Sequence, residues 1–200
     1  MTVIERTTMD SKIEFNEIES NTRYENCVID YSNVDIKLQD NEFYNCEFKQ
    51  KDFSFGEYID VTFEKMELLN YDFSQSFLNG VQFKQLNAQG IIFDSSTLKE
   101  TSFTDSNLRY SNFSETKITG TIFKDSTLTE GSFQHIKFTK LKFEDSILNN
   151  VDLLDTNLNG VDLSTDEINN IIVSPELLRG LAINEYQAAE FVAMLGIKIN

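Results

Sequence analysis

From Leu38 to Leu163 every fifth residue is apolar, with no slip of phase. An α-helix repeats its apolar face every 3.6 residues and a strand every 2, so neither explains a period of five. A period this short, sustained over most of the chain, predicts a solenoid in which each coil buries its apolar residue only by stacking on the next. Two residues before each central position lies a second class, small or β-branched, including Ser76, Val81, Ile91, Ser96, Thr101 and Thr116. That is the pattern of an inward site beside a large neighbour.

The residue directly before the centre is often Asp or Asn (Asp52, Asp72, Asn107, Asn112, Asp152, Asn157, Asp162), and glycine recurs two residues after it (Gly80, Gly90, Gly120, Gly160), where a turn calls for positive φ. On these residues the chain resembles the pentapeptide-repeat family, with its A-[D/N]-[L/F]-x-x unit, over roughly residues 13–168. The resemblance implies an all-β solenoid, a right-handed quadrilateral β-helix with four repeats per coil. A four-sided coil also follows from the residues themselves. Between Phe73 and Phe133, Phe alternates with Leu, Ile or Ala, so the chemical period is ten. A coil of fifteen residues would mix Phe with Leu in every column, whereas a coil of twenty keeps the columns pure. Phe43, Phe63, Phe83, Phe103, Phe123 and Phe143 then form one stack, and Phe53, Phe73, Phe93, Phe113 and Phe133 form the opposite one. Aliphatic columns such as Leu68, Leu108, Leu128, Leu148 and Leu78, Leu98, Ile118, Leu158 lie between them.

Two hundred residues, 40% of them hydrophobic, suit one domain whose core is a column rather than a ball. The N-terminal stretch, residues 1–12, reads as an extended or frayed tail without the apolar run of a signal peptide, and no segment is long enough to span a membrane. A cytoplasmic location is the default expectation. Tyr24, Ile29 and Val34 carry the period one residue late, and a four-residue step to Leu38 restores it, which makes residues 19–37 the expected place for a bulge or small loop. Counting units, Cys27 and Cys46 occupy equivalent inward sites on adjacent coils and read as a pair of small buried hydrophobes rather than a disulfide.

After Leu163 the pattern becomes helical, and residues 169–200 read as a C-terminal cap. Ser174 before Pro175 starts a turn closed by Gly180; Asn184 with Gln187 starts a helix containing Ala188, Phe191, Val192 and Leu195, ended by Gly196. Ile197, Lys198 and Ile199 read as a short strand. A solenoid's last coil exposes apolar cross-section and unpaired strand edges, and the helical segment covers them. The ending SPELLRGLAINEYQAAEFVAMLGIKIN is similar to the C-terminal module of the quinolone-resistance (Qnr and MfpA) group of the family. In that group the module also joins two subunits tail to tail. The resemblance therefore implies a homodimer, with Tyr186, Phe191, Val192, Leu195, Ile197 and Ile199 as candidate interface residues.

Catalysis finds no support in this pattern. The single histidine, His135, falls two residues after Phe133 and is expected to face solvent, leaving no base for a serine or cysteine nucleophile. There is no phosphate-binding glycine loop and no metal-ligand spacing, so no enzyme activity, cofactor or metal is expected. With 17 basic against 33 acidic residues the net charge is −16, which disfavours direct binding to nucleic acid.

The charge has another reading. About eight coils at roughly 4.8 Å make a rod near ~38 Å long, carrying about one net charge per ~2.4 Å, comparable with one per ~1.7 Å for duplex DNA. The family resemblance implies the same: the quinolone-resistance type binds DNA gyrase or topoisomerase IV as a DNA mimic. Asp52, Asp72, Asp94, Glu115, Asp152 and Asp155 surround the Phe53 column without an outward Lys or Arg and form the candidate partner-binding face. The face around Leu38, read as lying opposite, mixes Lys37, Lys99, Lys117, Lys137 and Lys140 with Asp40, Glu57, Asp60 and Glu100. Two alternatives stand beside mimicry: the acids are repeat grammar on a solvated surface, or the rod is an interaction scaffold for an unrelated partner. Residues 38–163 also lack the loops through which Gram-negative Qnr proteins contribute to target protection, which resembles the MfpA type and weighs against drug protection more than against enzyme binding. Lys51 and Tyr71 fall on inward sites; either the coil is locally bulged and Lys51 reaches outward, with a groove or binding feature as a further reading, or the phase is locally different. Phe55 and Phe77 fall on outward sites, where isolated apolar residues are ordinary.

Overall fold

The computed structural model describes residues 4–32, 35–194 and 196–198. The chain winds into a four-sided parallel β-solenoid of about 8 turns with one short C-terminal helix. On the Phe43 side eight parallel strands stack in order, beginning with Arg6–Met9, Thr22–Glu25 and Asn41–Tyr44 and ending at Lys142–Glu144. On the Leu38 side six strands run from Lys37–Gln39 to Lys137–Thr139. Along most of the other two sides, neighbouring coils pair through single bridges such as Asp52↔Asp72 and Asn87↔Asn107. The register between coils is twenty residues: Phe83 pairs with Phe63 on one flank and Phe103 on the other.

The first turns are shorter. Arg6–Met9 pair with Thr22–Glu25 at a spacing of sixteen, and Thr22–Glu25 pair with Asn41–Tyr44 at nineteen. Residues 6–12 are therefore part of the solenoid rather than a tail, because the backbone of Arg6–Met9 completes the edge that Thr22–Glu25 would otherwise expose. A 3-10 turn, Phe15–Glu17, cuts across the first coil and buries Phe15 at ring distances of 6.4 Å from Phe48 and 6.5 Å from Phe53. Over Thr22–Ile29 the register is one residue short of twenty, so Tyr24 stacks on Phe43 (5.4 Å) and Ile29 pairs with Phe48. The expected bulge or loop over 19–37 takes in Asn33 and Val34, which lie outside the described residues. At the other end the solenoid continues past 168: Ile172–Val173 pair with Asp152–Leu153, and Ala182 bridges to Asp162.

The interior is a lattice of rings. Phe103 stacks on Phe83 (4.7 Å, 5° between planes) and Phe123 (4.8 Å, 6°), and meets Phe93 and Phe113 edge-on, each at 5.5 Å. Rings stack along the axis and cross it edge to face, so both favourable aromatic geometries are satisfied at once, each contributing about 0.5–1.5 kcal/mol beyond area burial.

The small inward sites do more than save space. Ser96 Oγ donates to the Phe73 carbonyl (2.7 Å) and accepts from the Ser76 N–H (3.2 Å); Thr116 and Thr156 donate to the Phe93 and Phe133 carbonyls (2.9 and 2.7 Å). These hydroxyls satisfy backbone groups buried inside the column, where an unpaired one would cost about 1–3 kcal/mol. Tyr58 fills an aliphatic site and its hydroxyl donates to the Phe53 carbonyl (2.7 Å). A side chain on Gly56 would lie 2.3 Å from that hydroxyl oxygen, so glycine stands where the neighbouring coil has Ser76.

At Lys51 the outward alternative holds. Its ammonium reaches the Leu69 carbonyl (3.0 Å) at the surface, while Tyr71 is buried, packs 5.6 Å from Phe53 and donates its hydroxyl to the Phe48 carbonyl (2.9 Å). A primary ammonium is too costly to bury unpaired, and Tyr71 supplies the inner hydroxyl that Lys51 cannot.

Because Phe103 touches four rings, Phe103→Ala is expected to destabilise the protein by about 3–5 kcal/mol. Chemical denaturation checks this, and a loss below about 1 kcal/mol would contradict the packing.

Candidate partner-binding face

The candidate acidic residues do share one side of the rod. The stripe before the Phe53 column runs Asp52, Asp72, Ile92, Asn112, Ser132, Asp152, each bridged to the next. Its aspartates close local turns. Asp52 Oδ1 accepts from the Ser54 N–H (3.0 Å) and hydroxyl (2.6 Å), Asp72 Oδ1 from the Ser74 N–H (2.8 Å) and hydroxyl, and Asp152 Oδ1 from the Leu154 N–H (3.0 Å). Asn112 does the same work toward Ser114 (2.9 Å). An uncharged amide closes the turn as a carboxylate does, and at Ile92 the same position has no side-chain acceptor at all, so the negative charge at 52, 72 and 152 is surplus to the fold.

The remaining acids sit on neighbouring stripes. Asp94 accepts from the Ser95 hydroxyl (3.0 Å), and Glu115 is exposed with φ +55°. Asp155 lies 3.6 Å from His135 Nε2, an ion pair only when the imidazole is protonated. The six carboxylates thus occupy one side without forming a continuous ladder: Ile92, Asn112 and Ser132 interrupt the central stripe. Lys51, turned outward, also places a cation next to Asp52 that the inward assignment had left out. The mixed-charge Leu38 side meets this side around a corner and is not opposite it, since residues five apart turn a corner and residues ten apart face each other.

A second acidic edge was overlooked in the sequence. Asp105, Asp125 and Asp145 stack on three consecutive coils at the corner after the Phe43 side, all left-handed (φ 52°, 49° and 52°). Their twenty-residue spacing was visible; what hid them was grouping charges by side rather than by corner. Corners accept positive φ widely, at Gly80 (φ 69°) but also at Lys65, Tyr110 and His135, and at Phe55, which is 71% exposed. Phe77 is half-buried under the Lys99 ammonium (5.3 Å).

The cysteines are structural. Cys27 and Cys46 are buried free thiols on adjacent coils; Cys46 donates toward the Tyr24 carbonyl (3.3 Å), and burial pushes its thiol up to about 11, away from the reactive thiolate. Among the described residues no three His, Cys, Asp or Glu side chains converge as metal ligands, and no helix is long and apolar enough to cross a membrane.

The C-terminal segment docks as a latch. Asn184 and Gln187 cap the Ala188–Met194 helix reciprocally (Asn184 N–H to Gln187 Oε1, 2.9 Å; Gln187 N–H to Asn184 Oδ1, 3.0 Å). Gln187 Nε2 also donates to the Leu163 and Asp166 carbonyls (2.8 and 2.9 Å). Of the candidate interface residues, Phe191 is buried within its own chain and plugs the core, Val192 is half-buried, and Tyr186 (86%) and Ile197 (56%) are exposed. Ile197 and Lys198 form no strand, while Leu195 and Ile199 lie outside the described residues.

No curated protein matches the chain. Among solved structures, a trypsin-treated variant of QnrB1, a plasmid-mediated fluoroquinolone resistance protein, is 22% identical with a TM-score of 0.55, covering 97% of this chain and 98% of that one. Full-length QnrB1 is 20% identical with a TM-score of 0.50, covering 96% and 98%. The likeness is one of fold. The family model for the pentapeptide repeat region matches residues 57–133, and that for pentapeptide repeats (8 copies) matches residues 128–164. Together they span over half the sequence, and the chain belongs to the pentapeptide-repeat family.

Proposed function

We propose that this protein is a non-catalytic, cytoplasmic, dimeric DNA mimic that binds a type II topoisomerase, DNA gyrase or topoisomerase IV, and modulates its activity. The observation that carries the reading is the surplus charge: at Asp52, Asp72 and Asp152 the turns need only what Asn112 provides, yet the chain keeps carboxylates there. A straight, unbranched rod of net charge −16 offers such carboxylates to a groove built for phosphates. The fold likeness to a fluoroquinolone resistance protein over nearly the whole of both chains supports the same direction. The interruption of the central stripe by Ile92, Asn112 and Ser132 favours the second reading, an interaction scaffold for a different partner.

A supercoiling assay separates the two. The protein is expected to inhibit gyrase or topoisomerase IV at micromolar concentration, less so as salt rises, because the charges are screened over about 8–10 Å. The triple variant D72N/D94N/E115Q is expected to fold normally and inhibit at least several-fold less, while K117Q/K137Q changes little. No effect of the unmodified protein on either enzyme at low salt and tens of micromolar would rule out the mimic.

Assembly is tested independently. Tyr186 and Ile197 are exposed apolar residues of the cap and the proposed dimer contact. Sedimentation at micromolar concentration is expected to give a dimer for the unmodified chain and a folded monomer for Y186E/I197E. A monomeric unmodified chain would overturn the dimer.

A further inference from the structure

We propose that Asp166, whose Oδ2 is buried without a partner at the last rung of an inner hydroxyl ladder, takes up a proton to complete that rung, and that this proton sets how firmly the C-terminal segment is latched to the solenoid.

The ladder runs up the interior beside the Phe48 side. Ser126 Oγ accepts from the Ser106 N–H (3.2 Å) and donates to the Lys124 carbonyl (2.8 Å), with the Phe103 carbonyl at 3.5 Å. Ser146 Oγ accepts from the Ser126 N–H (3.2 Å) and donates to the Glu144 carbonyl (3.0 Å), with the Phe123 carbonyl at 3.4 Å. Each rung therefore accepts once and donates once. Asp166 holds the next rung. Its Oδ1 accepts from the Ser146 N–H (2.8 Å), which completes the accepting half. The donating half is missing: an ionised carboxylate has no proton to give, and Oδ2 is enclosed with no partner. Translated by one coil, the acceptors for this rung are the Ser164 and Phe143 carbonyls. A proton on Oδ2 makes the carboxyl a donor toward that position.

The surroundings favour the proton. Glu144 and Asp145 approach from the coil below and Asp162 from Asp166's own coil, each adding negative charge. Lys142 is turned to Glu144 (3.6 Å). From the cap, Glu190 carries its own buried, unpartnered Oε1. Burial first, and then the charges of Asp145, Asp162 and Glu144, push the Asp166 carboxyl up to about 6, while the Ser146 N–H opposes them.

The latch closes on the same residue. Gln187 Nε2 donates to the Asp166 carbonyl (2.9 Å) and the Leu163 carbonyl (2.8 Å), and the Asp166 N–H itself donates to Leu163 O (3.1 Å). A carboxyl raised above its unfolded value near 3.8 favours the fold fully below that value, and the advantage is lost as pH rises through about 6. The latch is therefore tight in mild acid and loosens toward neutrality. Asp30 and Asp162 are shifted the other way, so what they contribute is lost only as pH falls below the ordinary carboxylate range.

The test is hydrogen exchange of residues 182–197 in the full chain between pH 5 and 8, corrected for intrinsic exchange, for the unmodified protein and Asp166→Asn, whose amide both accepts and donates without a charge. Protection of the unmodified protein is expected to fall severalfold across this range, with a ceiling of about tenfold, because only about one pH unit of the rise from 3.8 to about 6 lies above pH 5. Asp166→Asn is expected to abolish that fall and to remain at pH 8 as protected as the unmodified protein at pH 5. A fall that persists unchanged in Asp166→Asn, or a variant less protected at both extremes, overturns the proposal. Carbon-detected NMR titration of the Asp166 carboxyl in the unmodified chain keeps the test decisive if the variant fails to fold: a midpoint near 6 supports the proposal, and one near 4 overturns it.

Discussion

Each coil of this protein pairs its backbone with the coils above and below it, at a register of twenty residues along most of the rod. That constraint determines nearly everything else. Four short sides enclose an interior wide enough for one large side chain per side, so inward positions come in only two kinds, a bulky centre and a small companion. The spacing of the coils, about 4.8 Å, is also close to a comfortable stacking distance for rings. Phe columns therefore extend up the rod without strain, and the inner hydroxyls recur at the same interval to satisfy buried carbonyls.

Departures from the two-kind rule occur in compensating pairs. Tyr58 is too long for its column and Gly56 yields the space; Lys51 leaves the interior and Tyr71 fills it, its hydroxyl replacing the one that the rung lacks. The two ends follow the same logic. Phe15 folds under the first rings on a shortened coil, and Phe191 covers the last coil while Gln187 ties the cap to two of its carbonyls. A solenoid grows by repetition, but its ends have to be made by exceptions.

The surface is less constrained, and this is where function enters. Corners are left-handed and take many residue types, and turns are closed by a side-chain acceptor where one is present; Asn serves both roles as well as Asp. A preference for carboxylates at 52, 72 and 152, and at the corner residues 105, 125 and 145, is therefore a property of the surface rather than of the fold.

The sequence alone determined the period, the four-sided coil, the alternation of Phe and aliphatic columns, the stacking of Cys27 on Cys46 and the Asn184–Gln187 helix cap, because each depends on local spacing or on a register repeated without interruption. The family followed from the same repeats. What only the tertiary structure decided lies where a single residue depends on its neighbour twenty positions away. Arg6–Met9 carry no apolar period, yet they pair because Thr22–Glu25 present an open edge. Phe191 was legible as apolar but not as turned into its own chain, since that depends on how the helix meets the last coil. Lys51 could be read as inward until Tyr71 was seen in its place, and Asp166 looks like one more repeat aspartate until its second oxygen is found enclosed without a donor. Local spacing specifies where the chain turns; only the stacked coils decide which side chains share the space between them.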